Sequence, residues 1–412
     1  MSRLRLRPIA VYLVMAFFSQ LGFLTSATVS IIYQITQANL DPFQLLIVGA
    51  VLEATVFLFE VPTGVVADVY SRRLSLLVGF VLIGIGFIIL GAFPLFWTIL
   101  LSQVVWGIGY TFTSGARQAW LSDELGDDDE TTRAFVRGAR FELAGSLVGI
   151  GLSVALASVF VSLSVLVGGA MFIVLAAVLT VVMPENGFQG TPPGERRNWA
   201  SMTSTLRSGL RAVRGSRILV ALIVIELFYG MSSEPFDRLW AKNMLDNFTF
   251  PELANLDPIV WFGIVAASAL FLGLCVIWWM ERVLNVEAPG TPRIVLSLAN
   301  ALLMVASLVF ALTRNFGVAM SMVVVISVLR KISEPMVAAW LNRNAESSYR
   351  ATVFSLHGQT NAFGQVAFGP GMGAVASIYG LRSALIGVAL LLIPPQIIYA
   401  FTRDDAPDVD SI

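Results

Sequence analysis

Between Leu74 and Trp97, and again between Val161 and Met183, the chain carries no charged residue. Each run exceeds the ~20 residues with which an α-helix crosses the apolar core of a bilayer. Within that core every backbone polar group must be paired inside the protein, and a helix does this along its own length. Composition agrees: 57% of the residues are hydrophobic and 13% charged, where soluble domains carry roughly 25% charged residues. Mean hydropathy is +0.80. An all-α polytopic membrane protein is expected.

The net charge of −1 provides no field that would draw in nucleic acid, and the sequence signatures of nucleic-acid readers are absent. Cys275 is the only cysteine, which excludes intramolecular disulfides and cysteine-based metal clusters; it is expected to pack as a small apolar residue. The apolar run after Arg7 continues for a full span, so it is read as a retained helix rather than a cleaved signal.

Twelve apolar segments, broken by glycine, proline or charge, fall at 8–35, 43–69, 74–93, 96–120, 134–159, 162–183, 217–241, 258–282, 293–313, 316–342, 350–378 and 381–402. Arginines crowd one set of connections. Arg3, Arg5 and Arg7 precede the first segment, Arg72 and Arg73 follow the second, and Arg133, Arg137 and Arg140 follow the fourth. Arg196, Arg197, Arg207, Arg211, Arg214 and Arg217 fill the central connection. The opposite connections hold little beyond Lys242, Arg314 and Arg382. Cytoplasmic loops are the Lys/Arg-rich ones, so both termini and the central segment are expected in the cytoplasm.

Three parts follow: a six-helix bundle over 1–183, a cytoplasmic linker over 184–216 and a second six-helix bundle over 217–412. The linker opens with the turn-rich "PENGFQGTPPGERRN", expected to be flexible. "WASMTSTLRSGLRAVRGSR" then reads as a basic amphipathic helix along the membrane surface. "DELGDDDETTR", at 123–133, is expected to be a solvated acidic connection.

Offsetting the chain against itself by 220 residues aligns Arg73 with Arg293, the "AWL" at 119–121 with that at 339–341, and Gly138, Gly149 and Gly151 with Gly358, Gly369 and Gly371. Two parallel six-helix repeats are therefore expected, an arrangement found in one large transporter class. Segments three, six, nine and twelve are essentially free of ionisable groups in their cores, as helices facing lipid would be. The others hold Glu53, Glu60, Glu142, Glu226, Glu234, Asp237, Arg238, Arg330, Lys331 and Glu334. A charge at membrane depth is costly unless it is paired or faces a wet cavity, so these helices are expected to line a pathway.

At 64–76 the pattern becomes recognisable. "GVVADVYSRRLSL" resembles the loop-2/3 signature of the major facilitator superfamily through Gly64, Ala67, Asp68, Arg72, Arg73 and Leu76, with Val66 for the usual leucine. Val69 and Ser71 depart from the usual Arg and Gly. Glu60, Pro62, Asp68, Arg72 and Arg73 also fit the longer form of this motif in a group of bacterial drug exporters of the tetracycline-efflux type, and Glu53 extends that likeness. Two family features are missing: Gln103 stands where many members have a span-four arginine, and "AGSLVGIG" at 144–151 lacks the proline of proton antiporters.

The resemblance implies a major facilitator fold of twelve transmembrane helices in two six-helix pseudo-repeats, working by alternating access around a midplane cavity. It implies a multi-pass protein of the bacterial cytoplasmic membrane, a proton-coupled antiporter for efflux of amphiphilic drugs or metabolites, as in antibiotic resistance. Gly64, Asp68, Arg72 and Arg73, with Asp123 nearby, would form a cytoplasmic gate; topological anchoring plus a helix cap is the plainer reading of the same residues. Glu60 and Glu53, seven residues apart, share one helix face. Buried, either could carry a proton, and either could instead pin helices through a hydrogen-bonded partner. Glu226 reads as the freest acid of the second half, and Glu142 is a fourth coupling candidate. Glu234 with Arg238, and Arg330 with Glu334, have the spacing of helical ion pairs. His357, the only histidine, reads as structural packing. Candidate cavity residues are Gln20, Gln34, Gln103, Phe228, Tyr229, Glu234, Asp237, Arg330, Glu334 and Trp340.

Within the same class, transport of a siderophore, a sugar or another polar solute stays open, kept so by Gln20, Gln34 and Gln103. In a different class stands a non-transporting receptor or scaffold. No Ser–His dyad, HExxH site or phosphate-cradling Gly–Lys loop points to an enzyme or to ATP hydrolysis. The expected partners are a small-molecule substrate, protons and the lipid bilayer; no nucleic acid, cofactor or metal is expected, and the chain is expected to act as a monomer.

Overall fold

The computed structural model describes residues 6–190, 207, 210–211, 213–251, 257–285, 288, 290–346 and 349–402. The amphipathic helix expected after residue 198 lies largely outside them. Every described element is a helix: α1 (Pro8–Thr36), α2 (Pro42–Val69), α3 (Arg72–Ala92), α4 (Phe96–Thr113), α5 (Ala116–Leu125), α6 (Asp128–Ala157), α7 (Val161–Val182), α8 (Arg217–Asn247), α9 (Ile259–Val283), α10 (Thr291–Leu312), α11 (Phe316–Asn344), α12 (Arg350–Tyr379), α13 (Leu381–Leu390) and α14 (Ile393–Phe401). Two pairs of helix starts, Phe96 with Phe316 and Val161 with Leu381, lie at the 220-residue offset of the sequence repeat.

Among the described residues, ten helical stretches are long and apolar enough to cross a membrane, Leu381–Phe401 counting as one. The remaining two expected spans, α4 and α12, are also helical but more polar. The first is short, at 18 residues, and the second carries His357, Gln359, Asn361 and Gln365.

The chain forms two compact units. One comprises Met1–Leu40, Val51–Arg197 and Pro251–Ile264; the other comprises Asp41–Ala50, Asn198–Phe250 and Val265–Ile412. In the first, α1 packs on α6 and α7, and α3 on α4 and α7. Paired glycines permit the closest approaches. A Cβ at Gly84 would sit 2.7 Å from the Gly169 carbonyl oxygen, and one at Gly79 would sit 2.8 Å from that of Gly109. Small residues of this kind let helix backbones meet where no hydrophobic drive operates between them. In the second unit α8 packs on α12, and α10 on α11 and α13. The buried side chains there centre on Leu219, Leu222, Trp340, Val353 and Tyr399.

Five expectations are corrected. The segment 96–120 is not one helix: it breaks at Ser114–Gly115, where Gly115 takes φ 70°, a left-handed conformation costly to a residue with a Cβ. The last segment breaks at Leu391–Leu392, because Pro394 and Pro395 have no amide hydrogens to continue the helical ladder. The acidic run at 123–133 is not a loop. It ends α5 and, past Gly126 at φ 64°, begins α6, where the Asp127 side chain accepts from the Glu130 amide at 2.7 Å. Asp128, Asp129 and Glu130 occupy the first turn of α6, where the helix dipole favours negative charge.

The start of "PENG" is likewise held rather than loose. The Trp120 indole donates to the Pro184 carbonyl at 2.9 Å, and the Glu124 carboxylate accepts from the Gly187 amide at 2.7 Å and from that of Asn186. Lastly, Cys275 is exposed on α9 instead of packed. Neighbouring Phe271, Leu272 and Leu274 are exposed with it, as on a helix surface turned to lipid.

Candidate functional site

The first unit contains a cavity of about 580 Å³ bounded by α1, α2, α3, α4, α5 and α7. Phe23, Phe80, Trp106 and Phe172 make its apolar wall. They are held by ring contacts, Phe23 on Trp106 at 6.2 Å and Phe80 on Phe172 at 6.0 Å between centroids. Gln20, Glu53, Tyr110 and Arg117 supply the polar lining. Among the described lining residues Glu53 is the only carboxylate and Arg117 the only cation. Tyr110 lies within electrostatic reach of both Glu60 and Glu53.

Arg117 stands beside the break at Ser114–Gly115, where α4 has ended and α5 restarts at Ala116, one residue before it. Its Nη2 donates to Glu142 Oε1 at 2.5 Å, its Nη1 contacts Ser19 Oγ at 3.4 Å, and its guanidinium stands 5.8 Å from the centre of the Tyr12 ring. Glu142 is thus the partner of a cation. Sequence reasoning missed Arg117, because it falls within a run read as unbroken membrane helix; the Ser114–Gly115 pair beside it was the available signal.

Glu60 is not buried as expected. Phe57, Leu58, Phe59 and Glu60 are all exposed, so that this whole turn of α2 is left uncovered. The Glu60 carboxylate has no salt-bridge partner among the described residues. At the α2–α3 turn, Arg72 holds two acids, Asp123 through Nε at 2.5 Å and Asp68 through Nη1 at 3.2 Å. Arg73 points elsewhere and donates to the Thr180 carbonyl at 2.6 Å. Glu185, unforeseen in the sequence, accepts from Ser71 Oγ at 2.7 Å and from the Arg73 amide at 2.9 Å. Ser71 itself caps α3 by accepting from the Leu74 amide at 2.8 Å, a task its hydroxyl performs and the family's usual glycine could not. Gly64 faces open space, and nothing packed against it explains the glycine.

In the second unit Glu226 is not a free acid. Its Oε2 lies 3.1 Å from His357 Nε2 and its Oε1 accepts from Asn361 Nδ2 at 2.5 Å. Asn361 Oδ1 in turn accepts from Gln365 Nε2 at 2.5 Å. Glycines bring this about: a Cβ at Gly230 would collide with the Asn361 carbonyl, and one at Gly364 would lie 2.5 Å from that of Leu227. With α8 and α12 that close, residues one turn away meet. His357 is therefore a partner of Glu226 rather than plain packing. Arg330 does not pair with Glu334 but bridges to Asp237 on α8 at 2.6 Å, and Glu334 is exposed. Glu234 and Arg238 do pair, at 2.7 Å.

Several cavity candidates are instead interior. Trp340 is 0% exposed and stacks on Tyr399 with ring centres 6.2 Å apart. Gln34 and Gln103 are buried, the latter donating to Ser102 Oγ at 3.1 Å. Tyr229 is half-buried on α8 near Glu226 and Tyr399, and Phe228 beside it is half-buried too. Only Gln20 of the candidates lines the cavity of the first unit.

A helical membrane protein with two internally repeated halves and an amphipathic cavity is the form of a solute carrier. The profile of the Major Facilitator Superfamily matches residues 11–369, and the chain belongs to that superfamily. It is a membrane transporter of the major facilitator type. It is 23% identical over 373 residues to the uncharacterized MFS-type transporter YxaM of Bacillus subtilis (strain 168), covering 90% of this chain and 89% of that one. Among solved structures it resembles the nucleoside transporter NupG, with a TM-score of 0.71 at 14% identity over 96% of this chain and 100% of that one. A POT family transporter in complex with a thioalcohol-conjugated peptide gives a TM-score of 0.74 at 15% identity, over 96% of both chains. A bacterial homologue of the human lysosomal transporter Spinster gives 0.71 at 15%, over 95% and 96%. At such identities these likenesses concern the fold alone.

Proposed function

We propose that this transporter exports amphiphilic solutes in exchange for protons by alternating access, and that Glu53 is the carboxylate on which proton and solute compete. The observation that carries this reading is the cavity of the first unit, where an aromatic wall meets a single carboxylate, that of Glu53. Aromatic faces take the apolar body of an amphiphile, and a carboxylate takes its cationic group or a proton, but not both together. One site with two mutually exclusive occupants is sufficient for exchange. The other acids fit the role less well. Glu60, Glu142 and Glu226 are not among the residues that line this cavity.

Arg72, between Asp68 and Asp123, supports a cytoplasmic latch that must open once per cycle. The arginine distribution supports placement in the cytoplasmic membrane with both termini inside. A second reading, transport of a polar solute such as a nucleoside or peptide, draws on Gln20 and Gln118 in the cavity lining and on the named substrates of NupG and the POT transporter. Inside-out vesicles energised with a proton gradient test both. Accumulation of members of an amphiphile panel, tetracycline included, that collapses on adding an uncoupler supports exchange. Accumulation of nucleosides or peptides instead would favour the second reading.

A further inference from the structure

We infer that the second unit carries a binding site for the phosphate group of an anionic lipid, formed by Arg314 and Arg382. The connections opposite the arginine-rich ones hold little basic charge beyond Lys242, Arg314 and Arg382. In the structure all three line one cavity of about 790 Å³, at the ends of α8, α10 and α12 and the start of α13. α13 packs against each of those three helices, so the cavity belongs to one bundle. Two acids share it, Asp41 and Asp246. Asp246 is paired with Lys242 at 3.2 Å. Asp41 caps α2 by accepting from the Gln44 amide at 2.9 Å, where the helix dipole offsets its charge. Arg314 and Arg382 are exposed. Among the described residues neither makes an ion pair, nor does either donate to a helix-end carbonyl as Arg73 does.

Two guanidiniums without partners on one concave surface suit an anion with several acceptor oxygens, because each planar fork takes two. A phosphate has oxygens for both forks, whereas a single carboxylate has enough for one. The setting selects the source of the phosphate. α8, α10 and the α13–α14 stretch are long and apolar enough to cross a membrane, which sets their ends at the level of the lipid headgroups. Leu312, Ile378 and Tyr379, next to lining residues in the sequence, are exposed, as side chains that meet acyl chains are. A phosphate carried on acyl chains gains from the arginines and from this apolar margin together. A free phosphate gains only the arginines and gives up more of its hydration. Basic pockets between membrane helices bind lipid headgroups on these terms.

Binding to the full-length protein, purified and delipidated in detergent, tests the inference whatever the transported solute is. Dioctanoyl phosphatidylglycerol, dioctanoylglycerol and inorganic phosphate present phosphate with chains, chains alone and phosphate alone. The first should bind about tenfold more tightly than either of the others. The double variant Arg314→Gln/Arg382→Gln changes two exposed side chains that the fold should tolerate, and it should weaken phosphatidylglycerol binding about tenfold. Arg133→Gln/Arg343→Gln removes the same charge at exposed positions elsewhere and should leave that binding unchanged. Equal weakening in both double variants would reduce the effect to net charge and overturn the site, and so would undiminished binding to Arg314→Gln/Arg382→Gln. Dioctanoylglycerol binding as tightly as phosphatidylglycerol overturns the role of the phosphate. Inorganic phosphate binding as tightly overturns the assignment to a lipid. Absence of phosphatidylglycerol binding to the unaltered protein overturns the inference outright.

Discussion

Arg73 and Arg293, 220 residues apart, make the same kind of bond in the two units. Arg73, in the first turn of α3, donates to the Thr180 carbonyl near the end of α7 at 2.6 Å. Arg293, in the first turn of α10, donates to the Tyr399 and Thr402 carbonyls at the end of α14, at 3.2 and 3.0 Å. The last carbonyls of a helix lack intrahelical partners and carry partial negative charge, so a guanidinium there satisfies both hydrogen bonding and the helix dipole. The two neighbouring arginines of the loop motif thereby divide their work: Arg73 clamps a helix end and Arg72 holds acids.

That division predicts different defects. Arg73→Gln and Arg293→Gln should each lower stability, by about 1–2 kcal/mol, as expected for loss of a charge-assisted hydrogen bond at a helix end, with the smaller loss at Arg73, whose bond to Thr180 is exposed. Thermal melting of the purified variants measures it. Equal stability of both variants and the unaltered protein would remove the clamp.

Arg72→Gln and Asp123→Asn should instead act on turnover. Both break the latch at the α2–α3 turn while the helix ends stay clamped, and each should slow transport about tenfold at near-normal membrane expression. Initial rates in vesicles, normalised to protein, decide this. Normal rates in both variants would leave the cluster an anchoring role only.

Glu226 and His357 give a graded comparison. Glu226→Leu leaves the His357 and Asn361 donors facing an apolar side chain, whereas Glu226→Gln keeps an acceptor for one of them. The leucine variant should be the less stable by about 1–3 kcal/mol. Melting temperatures in the reverse order would contradict the network as drawn.

These cases show what the sequence could reveal. Helix positions were legible because length and apolarity are local properties, and the 220-residue offset was legible because Arg73, Trp120 and their counterparts keep their register. Local ion pairs were legible in part: the i,i+4 spacing was right for Glu234–Arg238 and misleading for Arg330, which found Asp237 on another helix. Glu226–His357 joins residues 131 positions apart, and it depends on how closely Gly230 and Gly364 let two helices approach. Arg117 was hidden by a break that one glycine imposes. Depth along a helix can be counted from sequence, but whether a turn such as 57–60 is covered depends on its neighbours.

Topology is open to a direct check. In a Cys275→Ala background, needed because Cys275 is exposed, single cysteines at Ser2, Gly190 and Ser411 should react with an impermeant maleimide only after the cytoplasmic side is opened. Labelling of Gly190 in intact cells would overturn the orientation.

The central claim is that Glu53 exchanges a proton for the solute. Glu53→Gln replaces the carboxylate with a near-isosteric amide that cannot take up and release a proton, so the fold should survive. The measurement is solute flux in proteoliposomes, with an imposed pH gradient and, in parallel, as counterflow without one. The account predicts that Glu53→Gln loses gradient-driven accumulation at least tenfold and retains counterflow, whereas Glu60→Gln keeps both. Full gradient-driven accumulation by Glu53→Gln would contradict it.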